Sequence, residues 1–331
     1  MTDTLTVAHV SLAAYTAVYT GAAICDGAAC GRIWMRGRDA AALLHRLSTN
    51  QIERLVPGQG TRTVLATPVG RIIDLLTVHR AEDGLLLVTS PGNGPAILRH
   101  LHKNIFFNDK VTLDDASASL GQLMVYGPQA VERLAGLGLP AEGLTSYAMA
   151  PAQWRAWPMY VAGCLPLCGG GVAIYAPPAA LAELSETLAD ADVLPLDYDT
   201  FDVLRVEAGH GAFGRELSQE YIPLETNLRD AISFTKGCYV GQEIIARMES
   251  RGRLAKQLRG LRLPDGLPDG LALPAKLVAR DEDDAGEITS IVESPRYGMI
   301  GLAYVRSAHA ELGGRLEVDG AVAEVVALPF G

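Results

Sequence analysis

The residues with the clearest chemical potential lie in one short segment, KGCYVGQE at 236–243. Cys238 stands close to Lys236 and between two glycines, and residues 241–248 carry apolar side chains at the spacing of one helix face. A thiol just before a helix N-terminus and near a cation is expected to have a lowered pKa. The pattern leaves two interpretations open: a reactive or metal-handling thiolate, or a small residue that fills a tight turn between glycines.

The remaining cysteines, Cys25, Cys30, Cys164 and Cys168, show no sign of a disulfide framework or a zinc ribbon. The total of five is odd, and no pair has the CxxC spacing. Cys164 and Cys168 stand among prolines and glycines, which favours loop or core cysteines over a metal pair. We therefore predict no metal site.

The charge balance limits the classes of partner. The 331 residues include 28 Lys and Arg against 38 Asp and Glu, for a net charge of -10. This excess of acid argues against a protein that holds nucleic acid by broad phosphate neutralisation, although it leaves room for a small local basic patch. Hydrophobic residues make up 49% and charged residues 20%, as in globular proteins, and the length suggests two or three domains.

Two stretches, 4–25 and 156–182, lack formally charged residues and need testing as membrane spans. The first contains a histidine and several Ser and Thr, and the second contains four prolines and three consecutive glycines. A spanning helix needs about 20 mostly apolar residues without such breaks. Both stretches are typical of strands and turns in a soluble protein. Because the first ten residues also lack the positive region of a secretory signal, we predict a cytoplasmic protein.

The hydrophobic pattern upstream of the cysteine segment indicates two α+β units, and we assign residues 1–252 to these two lobes. The first unit has predicted strands at 32–37, 61–66, 71–80 and 85–89, and helices after Asp39 and over 95–103. The second has predicted strands near 119–126 and 171–176, and helices over 178–189 and 198–208.

After Arg253 the hydrophobic pattern of the sequence changes. Short apolar runs are separated by Gly, Pro and Asp at intervals of about ten residues, which is typical of a small all-β barrel. We therefore assign residues 253–331 to a C-terminal barrel domain. The boundary holds a basic cluster that includes Lys256, interpreted as a solvated linker.

KGCYVGQE resembles the signature of the YgfZ-type folate-binding proteins, relatives of the glycine-cleavage aminomethyltransferase, or T-protein. Four further segments resemble the same superfamily in the same order. They are GRDAAALLHRLSTNQIERLVPGQG at 37–60, TPVGRIIDLL at 67–76, an RxExGxxxxGxE pattern from Arg205 to Glu216, and PLE at 223–225. The resemblance therefore covers almost the whole chain.

The resemblance implies an α+β, aminomethyltransferase-like fold: a three-lobed cloverleaf of two ferredoxin-like units and a small C-terminal β-barrel. It implies a central channel that holds tetrahydrofolate or a one-carbon derivative. The ligand-binding residues that it suggests are Asp74, Arg205, Glu207, Tyr239 and Gln242. Cys238 matches the functional cysteine of the family, and Lys236 and Asp74 join it as candidate catalytic residues.

The same resemblance implies a role in maintaining iron–sulfur enzymes, including enzymes that modify tRNA. The expected partners are folate and iron–sulfur client or assembly proteins, and we expect a monomer without broad nucleic-acid binding or membrane association.

Two departures from the T-protein pattern bear on turnover. Aminomethyltransferases carry two adjacent acidic residues after the glycine hairpin, where this chain has Asp74 and Leu75. Their YTGEDGVE-like stretch is matched here by LCGGGVAI at 167–174, which lacks the glutamate. The leading hypothesis is therefore an accessory folate-binding protein. The alternatives are a tetrahydrofolate-dependent aminomethyl or one-carbon transferase, and an interaction scaffold with a vestigial channel.

Overall fold

The computed structural model describes residues 9–266, 271–279 and 283–331 of the chain. Within those ranges the helices are α1 Leu12–Thr20, α2 Ala40–Leu47, α3 Gly94–Lys103, α4 Ala130–Gly136, α5 Pro178–Ala189, α6 Tyr198–Glu207 and α7 Gln242–Arg251, with a short 3-10 turn at Arg229–Ala231. The strands of the two α+β units are β1 Ala23–Asp26, β2 Cys30–Arg36, β3 Gly60–Ala66, β4 Ile72–Arg80, β5 Gly84–Pro91, β6 Thr112–Asp115, β7 Gly121–Tyr126, β8 Met149–Trp154, β9 Trp157–Gly163, β10 Gly171–Ala176 and β11 Leu194–Pro195. The C-terminal strands are β12 Lys256–Arg262, β13 Ala275–Val278, β14 Asp284–Ser294, β15 Gly298–Arg306, β16 Arg315–Val318 and β17 Ala321–Val326.

The first sheet has the order β3-β4-β5-β2-β6, with α2 and α3 on one face. The apolar face of α2 packs Leu43 and Leu44 against Leu76 of β4. Asp39 occupies the N-cap position expected from the sequence, but its carboxylate accepts a hydrogen bond from the Lys110 N–H at 2.8 Å. The predicted cap residue therefore fastens the start of α2 to the end of a neighbouring loop.

The second sheet has the order β11-β1-β7-β10-β9-β8, so the chain begins in this sheet, leaves it to build the first, and then returns. Its opening helix, α1, lies in a stretch interpreted from the sequence as strands and turns. That interpretation is wrong for residues 12–20, because Ser11 caps a helix whose buried face is formed by Ala14, Tyr15 and Val18 at helical spacing. Tyr15 and Tyr19, one turn apart, both donate hydrogen bonds to Glu207 of α6, at 2.8 and 2.6 Å.

The two sheets pack face to face through a buried histidine. His79 of β4 has no exposed surface, and its ring nitrogens lie 2.8 Å from the Tyr147 carbonyl oxygen and 3.0 Å from the Tyr175 hydroxyl. Burial lowers the pKa of His79 to about 4. Trp34 of the first sheet meets Tyr160 of the second edge to face nearby, so aromatic contacts dominate this interface.

The C-terminal strands close into a barrel in the order β12-β15-β14-β13-β16-β17. The barrel packs on α6 mainly through β14 and β15. Side chains from both sheets, α1, α6 and the barrel meet in one buried cluster, which we call the junction; Tyr15, Ile72, Tyr126, Leu204 and Leu302 belong to it. The predicted α+β class with a C-terminal barrel is confirmed.

The histidine between the sheets makes the fold sensitive to acid. The pKa of His79 is about 4 in the folded protein against 6.5 ordinarily. The contribution of the neutral, buried His79 to the free energy of unfolding is therefore fully present above pH 6.5 and is lost as the pH falls through 4. The loss amounts to about 3 kcal/mol at about pH 4. We expect urea unfolding to show this loss, and we expect His79→Gln to flatten the pH dependence. His102→Gln, on the exposed end of α3, serves as control; equal slopes for both variants would contradict the assignment.

Candidate functional site

The signature segment is anchored by a buried lysine. Lys236 is 7% exposed, and its ammonium group donates to the carbonyl oxygens of His45, Ser48 and Asn50 at 2.5, 2.7 and 2.8 Å. These carbonyls lie at and just beyond the C-terminal end of α2, where a cation interacts favourably with the helix dipole. Burial lowers the pKa of Lys236 to about 8. All three N–H donors are engaged by carbonyl groups, so the lysine has none to offer the thiol of Cys238.

Cys238 is the exposed cysteine, two residues beyond this anchor. Burial raises the pKa of Cys25 and of Cys164 to about 12, and that of Cys30 to about 11. Burial also raises the pKa of Cys168 above its usual value. The accessible thiol therefore lies in the segment that the sequence singled out.

The signature segment and the glycine hairpin of the first sheet touch glycine to glycine. A Cβ atom on Gly241 would lie 2.7 Å from the Thr67 carbonyl oxygen and 3.0 Å from the Cα of Gly70. Gly241 also has a φ of 84°, which glycine adopts without strain. The glycine hairpin and the signature segment, whose Gly70 and Gly241 are 171 residues apart in the chain, are thus in direct contact in the fold.

Tyr239 and Gln242 support this contact from the signature side. Tyr239 is 9% exposed, and the Lys236 Nζ lies 5.0 Å from its ring centre. Gln242 is half-buried as the first residue of α7. Both residues belong to the segment that carries Cys238, and their predicted contact with a ligand stays a prediction.

Asp74 points away from any open space. It has no exposed surface, and its carboxylate accepts from the N–H groups of Leu75 at 2.9 Å and Ser90 at 3.2 Å. Burial raises its pKa to about 6. The adjacent Leu75 is only partly buried and packs against the junction. Along β4 it is thus the leucine, and not the carboxylate, that meets the centre of the molecule.

The side chains of Arg205 and Glu207 also form hydrogen bonds with partners inside the fold. Arg205 donates to Asp202 at 2.8 Å, to Glu216 at 3.0 Å and to Ser290 of the barrel at 2.8 Å. Glu207 accepts from Ser294 of the barrel at 2.5 Å, in addition to the two tyrosines of α1. The structure brings these two residues together on α6, where they are buried, at 3% and 4% exposure.

The candidate ligand site is a cleft of about 570 Å³ between the hairpin turn, residues 220–225 and the barrel. Its lining residues are Arg71, Glu220, Glu225, Ala255, Lys256, Pro274, Ala275, Lys276, Asp284, Gly286, Glu287, Tyr304 and Arg306. Glu225, 6% exposed, and Tyr304, without exposed surface, form its deep end. None of the seven site residues predicted from the sequence is among this described lining.

Several charges in the cleft already have partners. Lys256 lies 3.6 Å from Glu287, and its Nζ is 4.3 Å from the ring centre of Tyr221, which stacks on Tyr304 at 3.5 Å. Arg306 pairs with Asp284. The cleft is therefore bordered by ion pairs, and the stacked tyrosines lie beneath Lys256.

Other groups in the cleft remain available to a ligand. The Glu225 carboxylate accepts from the Ile222 N–H at 3.1 Å through one oxygen, and burial raises its pKa above the usual range. Lys276 is exposed, with no carboxylate within 4 Å of it in the described ranges. Arg71 is half-buried and uses one nitrogen for the Glu220 carbonyl oxygen at 2.5 Å. An acceptor at the deep end and cations at the rim suit a ligand with polar N–H groups at one end and negative charge at the other.

The sequence contained signals for this cleft that its interpretation did not use. Glu225 stands in the PLE motif, and Lys256 was assigned to a solvated linker. A cluster of cations at a domain boundary is usually solvated, and only the closure of the barrel shows that Lys256 turns inward over two tyrosines.

The architecture of two sheets and a closed barrel around one junction places the molecule in the aminomethyltransferase-like class of α+β proteins. The chain belongs to the glycine cleavage T-protein family: residues 6–236 match the GCVT N-terminal domain, and residues 256–330 match the glycine cleavage T-protein C-terminal barrel domain.

Individual relatives agree with this assignment. A chloroplastic protein of Arabidopsis thaliana, provisionally named a transferase, is 30% identical over 92% of this chain and 71% of its own length. An aminomethyltransferase of Listeria monocytogenes is 29% identical over 92% of this chain and 84% of its own length. The crystal structure of the glycine cleavage aminomethyltransferase T of Bartonella henselae matches with a TM-score of 0.85 at 23% identity, covering 97% of this chain and 89% of that one, which supports the fold.

Among the described residues, no helix has the length and apolar character needed to cross a membrane. Within the same ranges, no group of three or more His, Cys, Asp and Glu side chains is arranged to hold a metal ion. The cytoplasmic location stays a prediction.

The exposure of Cys238 generates a direct chemical test. Because thiolate fraction governs alkylation, the raised pKa of Cys30, about 11 against 9.0 ordinarily, lowers its reactive fraction about 100-fold. We expect brief iodoacetamide treatment of the native protein, followed by peptide mapping, to label Cys238 first. Unfolding in urea should equalise the five thiols. Preferential labelling of a buried cysteine in the native protein would contradict the structure of this segment.

Proposed function

We propose that the protein is a tetrahydrofolate-binding accessory protein for the assembly or repair of iron–sulfur enzymes, including tRNA-modifying ones. The observation that carries the folate part is the cleft between the hairpin, residues 220–225 and the barrel. It has the volume of a small-molecule site, a nearly buried acceptor and an aromatic floor. Membership of the T-protein family supports the choice of ligand.

A folate, either tetrahydrofolate or a one-carbon derivative, fits the order of groups along the cleft. The pterin end carries amino and ring N–H donors, which the free oxygen of the Glu225 carboxylate accepts at the deep end. Tyr304, on which Tyr221 stacks, limits the space beside it. The glutamate tail is anionic, and Arg71 and Lys276 offer it cations at the rim.

The iron–sulfur part of the proposal rests on Cys238. In the resemblance of KGCYVGQE to the YgfZ-type signature, Cys238 stands at the position of the functional cysteine, and its exposure suits transient contact with a client protein or a cluster. Lys236 serves this thiol by holding the segment against α2, since its ammonium group is bound to three carbonyls.

The second candidate is a folate-dependent aminomethyl or one-carbon transferase. The names of the bacterial relatives favour it. The inward turn of Asp74 and the position of Leu75 at the junction count against it, because aminomethyl transfer calls for a carboxylate at the folate nitrogens. Folate-dependent turnover in a reconstituted glycine-cleavage assay would favour this candidate over the accessory role.

Calorimetry with tetrahydrofolate tests the cleft. We expect saturable binding by the full chain, weakened about tenfold or more by Glu225→Gln, because a hydrogen bond to a charged group contributes about 1.5–3 kcal/mol. Lys276→Glu should weaken binding through the tail, whereas Arg315→Glu, on an exposed part of the barrel, should leave it unchanged.

The outcomes of this titration separate the hypotheses. An absence of saturable binding at millimolar folate would overturn the ligand assignment and leave the scaffold with a vestigial channel. Wild-type affinity in Glu225→Gln would place the folate elsewhere in the molecule.

A complementation experiment tests the accessory role. In cells depleted of this protein, we expect the Cys238→Ser variant to accumulate to the wild-type amount and to have the wild-type Tm. We expect iron–sulfur enzyme activity in these cells to remain as low as in depleted cells without the variant. Cys168→Ser, which changes a half-buried loop thiol, is the matched control and should restore activity. Full rescue by Cys238→Ser would show that this thiol is a structural filler.

A further inference from the structure

The loop after α3 presents two aromatic side chains to solvent. Phe106 is 63% exposed and Phe107 is fully exposed. Neither ring is needed to close a core, because the apolar residues of this segment that pack inward are Leu101 and Ile105. Two neighbouring exposed phenylalanine rings form an apolar patch that is unfavourable in water, and such patches are candidate interaction surfaces.

Exposed cations flank these rings in the sequence. Arg99 and Lys103 stand one turn apart on α3, and Lys110 follows the loop; all three are exposed, with no carboxylate within 4 Å in the described part of the chain. We call residues 99–110, together with Arg46, the aromatic–basic surface.

The loop is held in a fixed shape. The guanidinium of Arg46 lies 5.2 Å from the ring centre of Phe106 and donates to Asp109 at 2.5 Å. The same carboxylate accepts from the Phe106 N–H at 2.9 Å. The rings are therefore presented on a prearranged turn, which reduces the entropy lost when a partner binds.

The charge of this region is opposite to that of the whole molecule. The aromatic–basic surface contains four Lys and Arg against one Asp, whereas the complete chain contains 28 Lys and Arg against 38 Asp and Glu. At physiological salt, charges more than about 8 Å apart are largely screened, so the acidic remainder does not cancel the local positive field.

We propose that the aromatic–basic surface binds single-stranded nucleic acid, with Phe106 and Phe107 stacking on bases and Arg99, Lys103 and Lys110 contacting phosphates. Rings set among cations are the combination by which proteins hold single strands without sequence preference. An acidic protein is the weaker fit, because a stable protein interface buries about 800 Å² per partner around an apolar core. Two rings enclosed by charges do not supply such a core.

This inference agrees with the net charge of -10, which argues against broad phosphate neutralisation and leaves a local patch open. It is also independent of the folate cleft, since no residue of the aromatic–basic surface lies in the described lining of that cleft. The two assignments can therefore fail separately.

Fluorescence anisotropy of the full chain with a labelled oligouridylate of about twelve nucleotides tests the proposal. We expect saturable binding that weakens as salt rises. The double variant Phe106→Ala with Phe107→Ala should lose about tenfold or more in affinity, the equivalent of one stacked base. Lys103→Glu with Lys110→Glu should also weaken binding and reduce its dependence on salt.

Matched controls use the barrel surface. Leu312→Ala removes an apolar side chain that is 57% exposed, and Arg315→Glu reverses an exposed cation, so both should keep the wild-type affinity. The proposal is overturned by an absence of saturable binding, or by full affinity in the double phenylalanine variant. Equal binding of an oligoglutamate peptide, lost with the same two phenylalanines, would also overturn it and assign the surface to an acidic protein.

Discussion

The buried pair of Arg205 and Glu216 is the contact on which the arrangement of the lobes depends. Glu216 has no exposed surface, and its two carboxylate oxygens accept four hydrogen bonds, from Arg205, Thr289, Ser290 and the Ala212 N–H. Removing one member of such a pair costs about 3–5 kcal/mol because the other charge is left buried and alone. Since Thr289 and Ser290 belong to β14, the pair fixes the barrel to α6, and Glu207 of the same helix fixes α1.

This constraint explains why the most prominent charged motif of the sequence does not form the open site. The RxExGxxxxGxE pattern has the residue types of a binding motif, yet its arginine and two glutamates are saturated by partners within the fold. The function of these charges is to place the barrel against the hairpin of the first sheet. The cleft exists because that placement leaves a gap between Arg71 and Tyr304.

Much of the architecture could be predicted from the sequence, and the exceptions have physical causes. Hydrophobic periodicity and turn residues gave the strands of the first sheet and the change to a barrel after Arg253. The cap residue Ser11 and the spacing of Tyr15 and Val18 were helix signals for α1 that the sequence interpretation did not use. The sequence could not show that Tyr15 and Tyr19 reach Glu207, 188 or more residues away. The KGCYVGQE segment carries an exposed cysteine, whose reactivity stays a prediction. The burial of the Asp74 side chain depends on strand register, which spacing along the sequence does not show.

The signature segment contacts both the part of the first lobe that carries the aromatic–basic surface and the hairpin turn that borders the cleft. At one end Lys236 is bound to the carbonyls that end α2, and the backbone N–H of Val240 donates to the carbonyl of Arg46, whose guanidinium orders the exposed phenylalanine loop. At the other end Gly241 presses on Gly70, the neighbour of Arg71 in the cleft. Arg71 of the cleft therefore lies on a turn in direct contact with the segment that carries Cys238. The space at this contact leaves no room for a side chain on Gly241, so the hairpin turn and the signature segment pack backbone against backbone.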